Sequence, residues 1–230
     1  MVIGLIGAMD EELEILLKET EVEEVEIKAS MKFVKGNLYG KEVVVVRCGI
    51  GKVNSAICAQ ILVDDFKVDY VINVGIAGGI GANVKPGDVV IGDSLIQHDV
   101  DAVAFGYEVG QIPRVDTLDF KSSEYLVSLA KDACKDVVAH NYFVGRIATG
   151  DQFIADINKI KWLKEKFNAI ACEMEGGSIA QSCYLNQIPF VVLRSISDNA
   201  DNGAHMDYDK FQHIAIKNST ELIKNMLMAM

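Results

Sequence analysis

Proline is scarce in this chain, three residues in 230, and tryptophan occurs once. That scarcity excludes collagen-like and low-complexity organisation, and a half-apolar composition with 24% charged residues excludes disorder. Cysteine is present without any useful grouping. Cys48, Cys58, Cys134, Cys172 and Cys183 are odd in number, and the nearest two stand ten positions apart. A zinc ribbon and a thioredoxin-type redox pair have no support, and most of these thiols read as small buried hydrophobes in a reduced compartment. Basic residues are outnumbered, 22 against 33 acidic ones, for a net charge of −11. Nucleic acid is therefore not an expected partner, and a small neutral or cationic ligand suits the field better. No stretch approaches the ~20 uninterrupted apolar residues of a membrane span. The apolar start, Met1 to Met9, has no basic flank and runs straight into Asp10-Glu11-Glu12, unlike a signal peptide. The expectation is a cytoplasmic protein with no membrane partner.

Several chemical signatures are missing as well. Gly49-Ile50-Gly51-Lys52-Val53-Asn54 fails as a phosphate loop, because Val46 and Val53 stand where a Gly and a Ser or Thr are needed. It also fails as a dinucleotide fingerprint, because Asn54 replaces the third Gly. Gly75–Gly81 has no such register either. Both clusters read equally well as tight strand-to-helix turns and as places where a ligand approaches the backbone. His98, His140, His205 and His213 form no HExxH and no close carboxylate pairing, so no metal and no cofactor are expected. There is no G-x-S-x-G.

What the sequence does contain is an alternation of strand and helix patterns. Strands are expected at Val2–Ile6, Glu42–Arg47, Tyr70–Val74, Asp88–Ile91, Tyr142–Ala148, Ala169–Cys172 and Phe190–Arg194. The four consecutive valines of Glu42–Arg47 mark a strand buried on both faces. Helices are expected behind an N-cap at Asp10, over Val53–Val63, Ser122–Cys134, Ile157–Phe167 and Ser178–Leu185, and over a long final Tyr208–Met228. His98–Pro113 has no period. With no linker, repeat or charge run, residues 1–230 read as one α/β domain: three α/β/α layers around a twisted, mostly parallel mixed sheet.

In such sheets ligands bind beyond the carboxyl ends of strands. Carboxylates fall at three such ends: Glu12 after the first strand, Glu173 and Glu175 after the Ala169 strand, and Asp198 after the Phe190 strand. An acid in a first helical turn is usually a surface group favoured by the helix dipole, a reading that fits Glu11 and Glu12. Glu175 resists it, because it sits within the small apolar run Ile170 to Gly177, where acids need a partner or a task.

These segments together resemble the methylthioadenosine/S-adenosylhomocysteine nucleosidases, of the nucleoside-phosphorylase-like superfamily. The resemblance rests on Ile3 to Glu12, Gly49-Ile50-Gly51-Lys52-Val53, Asn73 to Gly79, His98-Asp99 with Ala104 to Glu108, Gly150 to Ile154, Glu173-Met174-Glu175 and Arg194 to Asp198, seven pieces in the family's order. It implies a nucleoside-phosphorylase-like fold and a hydrolase that splits the N-glycosidic bond of 5′-methylthioadenosine and S-adenosylhomocysteine, with 5′-deoxyadenosine as a further substrate, releasing adenine. By the same resemblance Asp198 is the general acid toward adenine N7, holding a proton near neutral pH, and Glu12 activates the water with Arg194 close by. Glu175 holds the ribose hydroxyls. Phe153 stacks on adenine and the Ile154 backbone reads its edge, with Ala77, Gly78 and Ser197 among the binding residues. Met9, Ile50, Met174 and Tyr208 line the ribose and 5′-thioether pocket. Phe105, Tyr107 and Pro113 reach it from the second subunit of a homodimer.

Bringing Met174 and Glu175 to one pocket requires the strand to bend, which Gly176-Gly177 would permit. Three positions depart from the family pattern. Ile76 replaces a Ser near the water, Gly176-Gly177 replaces Ala-Thr and should loosen the following helix, and Ala102 replaces a larger residue and should widen the 5′ end. Rival readings are a nucleoside phosphorylase, a hydrolase of 6-amino-6-deoxyfutalosine or another 5′-substituted adenosine, and a non-catalytic nucleoside binder. A phosphorylase would need cations at the rim, where only Arg47, Lys52 and Arg194 fall.

Overall fold

The computed structural model describes residues 1–135, 141–199 and 204–230, without the side chains of residues 204–212. The alternation becomes β1 (Val2–Gly7), α1 (Asp10–Glu19), β2 (Glu21–Lys28), β3 (Met31–Leu38), β4 (Lys41–Arg47), α2 (Lys52–Asp64) and β5 (Tyr70–Gly79). It continues through β6 (Val89–Gln97), β7 (Phe120–Lys121), α3 (Glu124–Lys135), β8 (Tyr142–Thr149) and α4 (Ile157–Phe167). The chain closes with β9 (Ala169–Glu173), α5 (Gly176–Asn186), β10 (Phe190–Asp198) and α6 (Ala204–Ala229).

One mixed sheet holds all the strands. β1, β4 and β10 run parallel in the neighbourhood of β5, and β8 lies parallel between β6 and β9. The pairings β5–β10–β6–β8–β9 return to β5 through Gly78 opposite Cys172 and Gly79 opposite Ala171. That part of the sheet closes on itself, and closure removes its edges. From β5 the rest extends as an open wing, β1–β4–β3–β2.

Helices cover the two faces. In β4, Val43 and Val45 pack with Leu13, Leu16 and Met226 on the side of α1 and α6. Val44 and Val46 pack with Cys58, Leu62 and Ile179 on the side of α2 and α5. All four are essentially inaccessible, as a valine run buried on both faces requires. A smaller core joins Ile96, Ala148 and Ile154 to Leu163 and Phe167 of α4.

Three expectations needed correction. Asp10 is not the N-cap; Met9 is, and the Glu12 carboxylate reaches back to accept its amide. Asp10 instead pairs with Arg47 Nε at 2.9 Å. The glycine cluster at 75–81 is not a strand-to-helix turn, since β5 continues through Gly79 and another strand follows. Its glycines are there for clearance: a Cβ on Gly75 would lie 2.6 Å from Glu12 Oε1, and one on Gly79 would lie 2.9 Å from Ile196. β6 and β10 also outrun their apolar cores, to Gln97 and Asp198. Long-range pairing, with Gln97 opposite Thr149 and Asp198 opposite Gly78, extends them where local pattern ends.

The β2–β3 hairpin was absent from the sequence reading. Its turn is Ala29-Ser30, both at positive φ (48° and 62°), so the usual Asn-Gly cue for such a turn is missing. β2 carries exposed Glu21, Glu24 and Val25 on an open edge, where its charges discourage further strand pairing.

The hairpin offers a stability test remote from the helical layers. A Cβ on Gly36 would sit 2.3 Å from the Glu21 carbonyl oxygen, beside a register shift between Val22 and Glu24. Gly36→Ala should lower unfolding free energy by about 1–3 kcal/mol, read from the denaturant midpoint. An unchanged midpoint would mean that the two strands part there without cost.

Candidate functional site

At the carboxyl ends of β1, β5, β9 and β10 lies a cavity of about 260 Å³. Its walls are mainly apolar, and four carboxylates enter it: Glu12, Glu173, Glu175 and Asp198. All four are at most 8% exposed. Among the described residues no Lys or Arg lines it.

Glu12 is not the surface acid its position in a first helical turn suggested. Its Oε2 accepts the amides of Ala8 (2.7 Å) and Met9 (3.0 Å), and its Oε1 accepts that of Ile76 (3.0 Å). Burial outweighs these donors and the nearby Arg194, so its pKa is raised. A carboxylate offers about four acceptor sites. Among the described residues three are taken, two on Oε2 and one on Oε1.

Glu173 is the structural member. Its Oε2 accepts the amides of Glu175 (3.1 Å) and Gly176 (2.7 Å) and pairs with the Arg194 guanidinium. Its Oε1 accepts the Thr149 hydroxyl. Those bonds cap α5 and turn the chain at Met174-Glu175, so the bend falls before Gly176-Gly177 rather than at them. The same bend puts both Met174 and Glu175 on the cavity. The two glycines pack tightly: a Cβ on Gly177 would lie 2.8 Å from Thr149 Cβ, and the Gly177 amide donates to Thr149 Oγ1 at 2.7 Å. Helix α5 is intact from Gly176 onward, contrary to the loosening expected of that pair.

Glu175 Oε1 accepts the Gly51 amide at 2.8 Å. Burial, with the charge of Glu173 beside it, pushes the Glu175 carboxyl up to about 7. Asp198 Oδ2 accepts the Ser197 hydroxyl at 2.8 Å, and Ser197 also donates to the Ala77 carbonyl at 3.4 Å.

Arg194 does not line the cavity. It is 2% exposed beneath it, donating to Glu173, to Asn73 Oδ1 (2.6 Å) and to the Leu193 carbonyl (3.1 Å). Burial opposes its charge, but Glu173, Glu175 and Glu12 outweigh that and hold its pKa up.

The remaining expected residues divide. Met9, Ile50, Ala77 and Gly78 line the cavity, as do Phe153, Ile154, Met174 and Ser197. The Phe153 ring is half exposed at the mouth. Phe105 (84% exposed), Tyr107 and Pro113 lie outside this chain's own cavity, and so does buried Ala102. The Tyr208 side chain lies outside the described residues. Ala8, Gln152 and Cys172 line the cavity without having been foreseen. Gln152 was legible as a neighbour of Phe153, whereas Cys172 read only as a buried thiol.

Similarity to known proteins extends over nearly the whole chain. The phosphorylase superfamily model matches residues 2–228. A 5′-methylthioadenosine/S-adenosylhomocysteine nucleosidase of an Exiguobacterium species is 44% identical over 225 residues, 97% of this chain and 96% of that one. The crystal structure of the nucleosidase of that name from Neisseria meningitidis, in complex with methylthio-immucillin-A, is 36% identical. It superposes with a TM-score of 0.96 over 100% of this chain and 99% of its own. A futalosine hydrolase of Helicobacter pylori is 35% identical, with a TM-score of 0.94 over 100% and 98%.

A titration follows from Glu175. Its folded pKa lies above the ordinary value of 4.5, so between about pH 4.5 and 7 the native chain keeps a proton that the unfolded chain has released. Stability therefore falls as pH rises through that window. Glu175→Gln, which keeps an acceptor for Gly51, should be more stable than the parent at pH 8 by on the order of 3 kcal/mol. The two should match near pH 4. Denaturant unfolding at both pH values checks this, and parallel curves would contradict the buried, proton-holding state.

Proposed function

The chain belongs to the 5′-methylthioadenosine/S-adenosylhomocysteine nucleosidases, hydrolases of the phosphorylase superfamily, and we propose that its reaction runs on the carboxylates of this cavity. The substrates are 5′-methylthioadenosine and S-adenosylhomocysteine, with 5′-deoxyadenosine as a further one. The observation that carries the reading is the convergence of Glu12, Glu175 and Asp198 on an apolar cavity with no Lys or Arg in its wall among the described residues.

Asp198, set beside Ser197, donates a proton to adenine N7, which makes the base a leaving group. The C1′–N9 bond then breaks and leaves positive charge on the ribose, which the surrounding carboxylates stabilise in a dry, low-dielectric site. Water adds to C1′, and its proton passes to Glu12. The raised pKa of Glu12 suits it to receive that proton. The water would occupy the unfilled acceptor site on Oε1. Glu175, fixed by Gly51, holds the ribose hydroxyls and so sets the ring relative to the water. Phe153 stacks on the base and Ile154 reads its edge, while Met9, Ile50 and Met174 surround the 5′ substituent. Arg194 acts from beneath by holding Glu173.

Phosphate as nucleophile is disfavoured. The three cations that sequence placed near the rim are already engaged, Arg47 with Asp10, Lys52 with Asp99 and Arg194 with Glu173. An entering anion would find no Lys or Arg partner among the described residues of the wall. Likeness to the Helicobacter pylori futalosine hydrolase keeps another 5′-substituted adenosine as a second reading.

Purified protein incubated with 5′-methylthioadenosine should release adenine equally with and without phosphate, alongside free methylthioribose. Strict phosphate dependence would move the chain to the phosphorylases. Asp198→Asn should lower kcat by about 10²–10⁴-fold while leaving nucleoside binding largely in place. Near-normal turnover would remove Asp198 from the acid role.

The 102–113 segment, exposed at Val103, Ala104, Phe105 and Gly106, fits a role outside its own chain. A homodimer in which Phe105, Tyr107 and Pro113 complete the neighbour's pocket gives 84%-exposed Phe105 an apolar partner. Phe105→Ser should raise KM for 5′-methylthioadenosine several-fold. A monomer by sedimentation, or an unchanged KM, would overturn that arrangement.

A further inference from the structure

Outside the cavity, and used by none of the steps above, a closed ring of polar contacts joins the two loops that form its mouth. Asp99, just past the end of β6, receives Lys52 Nζ on Oδ1 at 2.6 Å and the Asp151 amide on Oδ2 at 3.0 Å. Asp151 Oδ1 in turn accepts the Lys52 amide at 2.8 Å. The ring therefore ties the 49–52 loop to the 150–154 loop by one ion pair and two backbone amides.

What hangs on each loop makes the ring more than a surface contact. The first carries Ile50 in the cavity wall and the Gly51 amide that fixes Glu175. The second carries Gln152, Phe153 and Ile154. The approach is close: a Cβ on Gly51 would meet Asp151 Oδ1 at 3.0 Å, and Gly51 holds φ at 95°, where other residues are strained. Neither charge is freely solvated, the Lys52 and Asp99 side chains being 18% and 17% exposed. Burial raises the pKa of Asp99, but Lys52 and the Asp151 amide more than offset this and hold it below the ordinary carboxylate range. Asp99 thus remains a charged acceptor throughout the neutral range.

We propose that Asp99, acting through Lys52 and Asp151, is a positioning residue that clasps these two loops in the arrangement that receives the base and ribose. The proposal rests on the nucleosidase reading of the cavity. A loop pair that is closed only part of the time lowers apparent affinity by the closed fraction, while complexes that do form react normally. The clasp should therefore show in KM and not in kcat.

Asp99→Asn keeps the shape and removes the charge, and Lys52→Met removes the same bond from the other side. Each should raise KM for 5′-methylthioadenosine about tenfold, with kcat within about threefold of the parent. The double variant should be no worse than either single one, and Lys52→Arg should recover most of the loss. Because the pair is partly exposed, the parent's KM should rise with salt while that of Asp99→Asn should not. Amide exchange on the ligand-free proteins reads the clasp without any substrate. Protection at Lys52 and Asp151 should fall about tenfold in both single variants. Unchanged protection, additive effects of the two substitutions, or a loss confined to kcat would overturn the proposal. Absence of adenine release by the parent would instead sink the nucleosidase reading, and the exchange measurement would still decide whether the clasp exists.

Discussion

One buried cation organises the centre of this molecule. Arg194 lies at the middle of β10 and bonds Glu173, which belongs to β9, and Asn73, which belongs to β5. Asn73 Nδ2 donates onward to the Ile6 carbonyl of β1 at 2.9 Å. Four strands are therefore tied together by a single guanidinium and its partners. Burying such a pair is expensive unless further hydrogen bonds complete it. Glu173 has them, from Thr149 and the first amides of α5, and those bonds also bend the chain so that Glu175 reaches the cavity.

The same arrangement sets the charge state of the site. One arginine stands among three neighbouring glutamates, and Glu173 makes the direct contact. Glu12 and Glu175 feel it at longer range, too weakly to offset burial, so both are shifted toward holding a proton. The ligand-free cavity thus spares itself an accumulation of unpaired negative charge. A substrate that develops positive charge at its reacting carbon favours the ionised carboxylates that burial had disfavoured.

Local pattern revealed much of this and missed specific parts for identifiable reasons. Val43 to Val46 announced a strand buried on both faces, and α4 was legible to both its ends, Ile157–Phe167. Glu175 stood out because an acid in a run of small apolar residues needs a reason to be there. Glu12 did not, since its burial comes from β5 folding over it, and Gly75 shows the fit only once the two are side by side. The β2–β3 hairpin was invisible because Ala29-Ser30 adopts a turn that its residue types do not advertise. The closed part of the sheet was equally hidden. It depends on a two-residue antiparallel contact between β5 and β9, set by register across some ninety residues of chain.

The distinction between Glu173 and Glu175 shows why neighbouring acids of identical chemistry separate in role. In a straight strand, positions two apart share a face, and the pair would compete for one environment. Here Glu173 spends both oxygens on Thr149, Arg194 and the start of α5, which consumes its acceptor capacity and turns the chain immediately after it. Glu175 emerges beyond that turn with a single amide donor, from Gly51. Among the described residues it therefore keeps acceptor capacity that Glu173 has spent. Sequence places the two side by side, and the number of donors that the fold supplies to each decides which is scaffold and which stays open to the cavity.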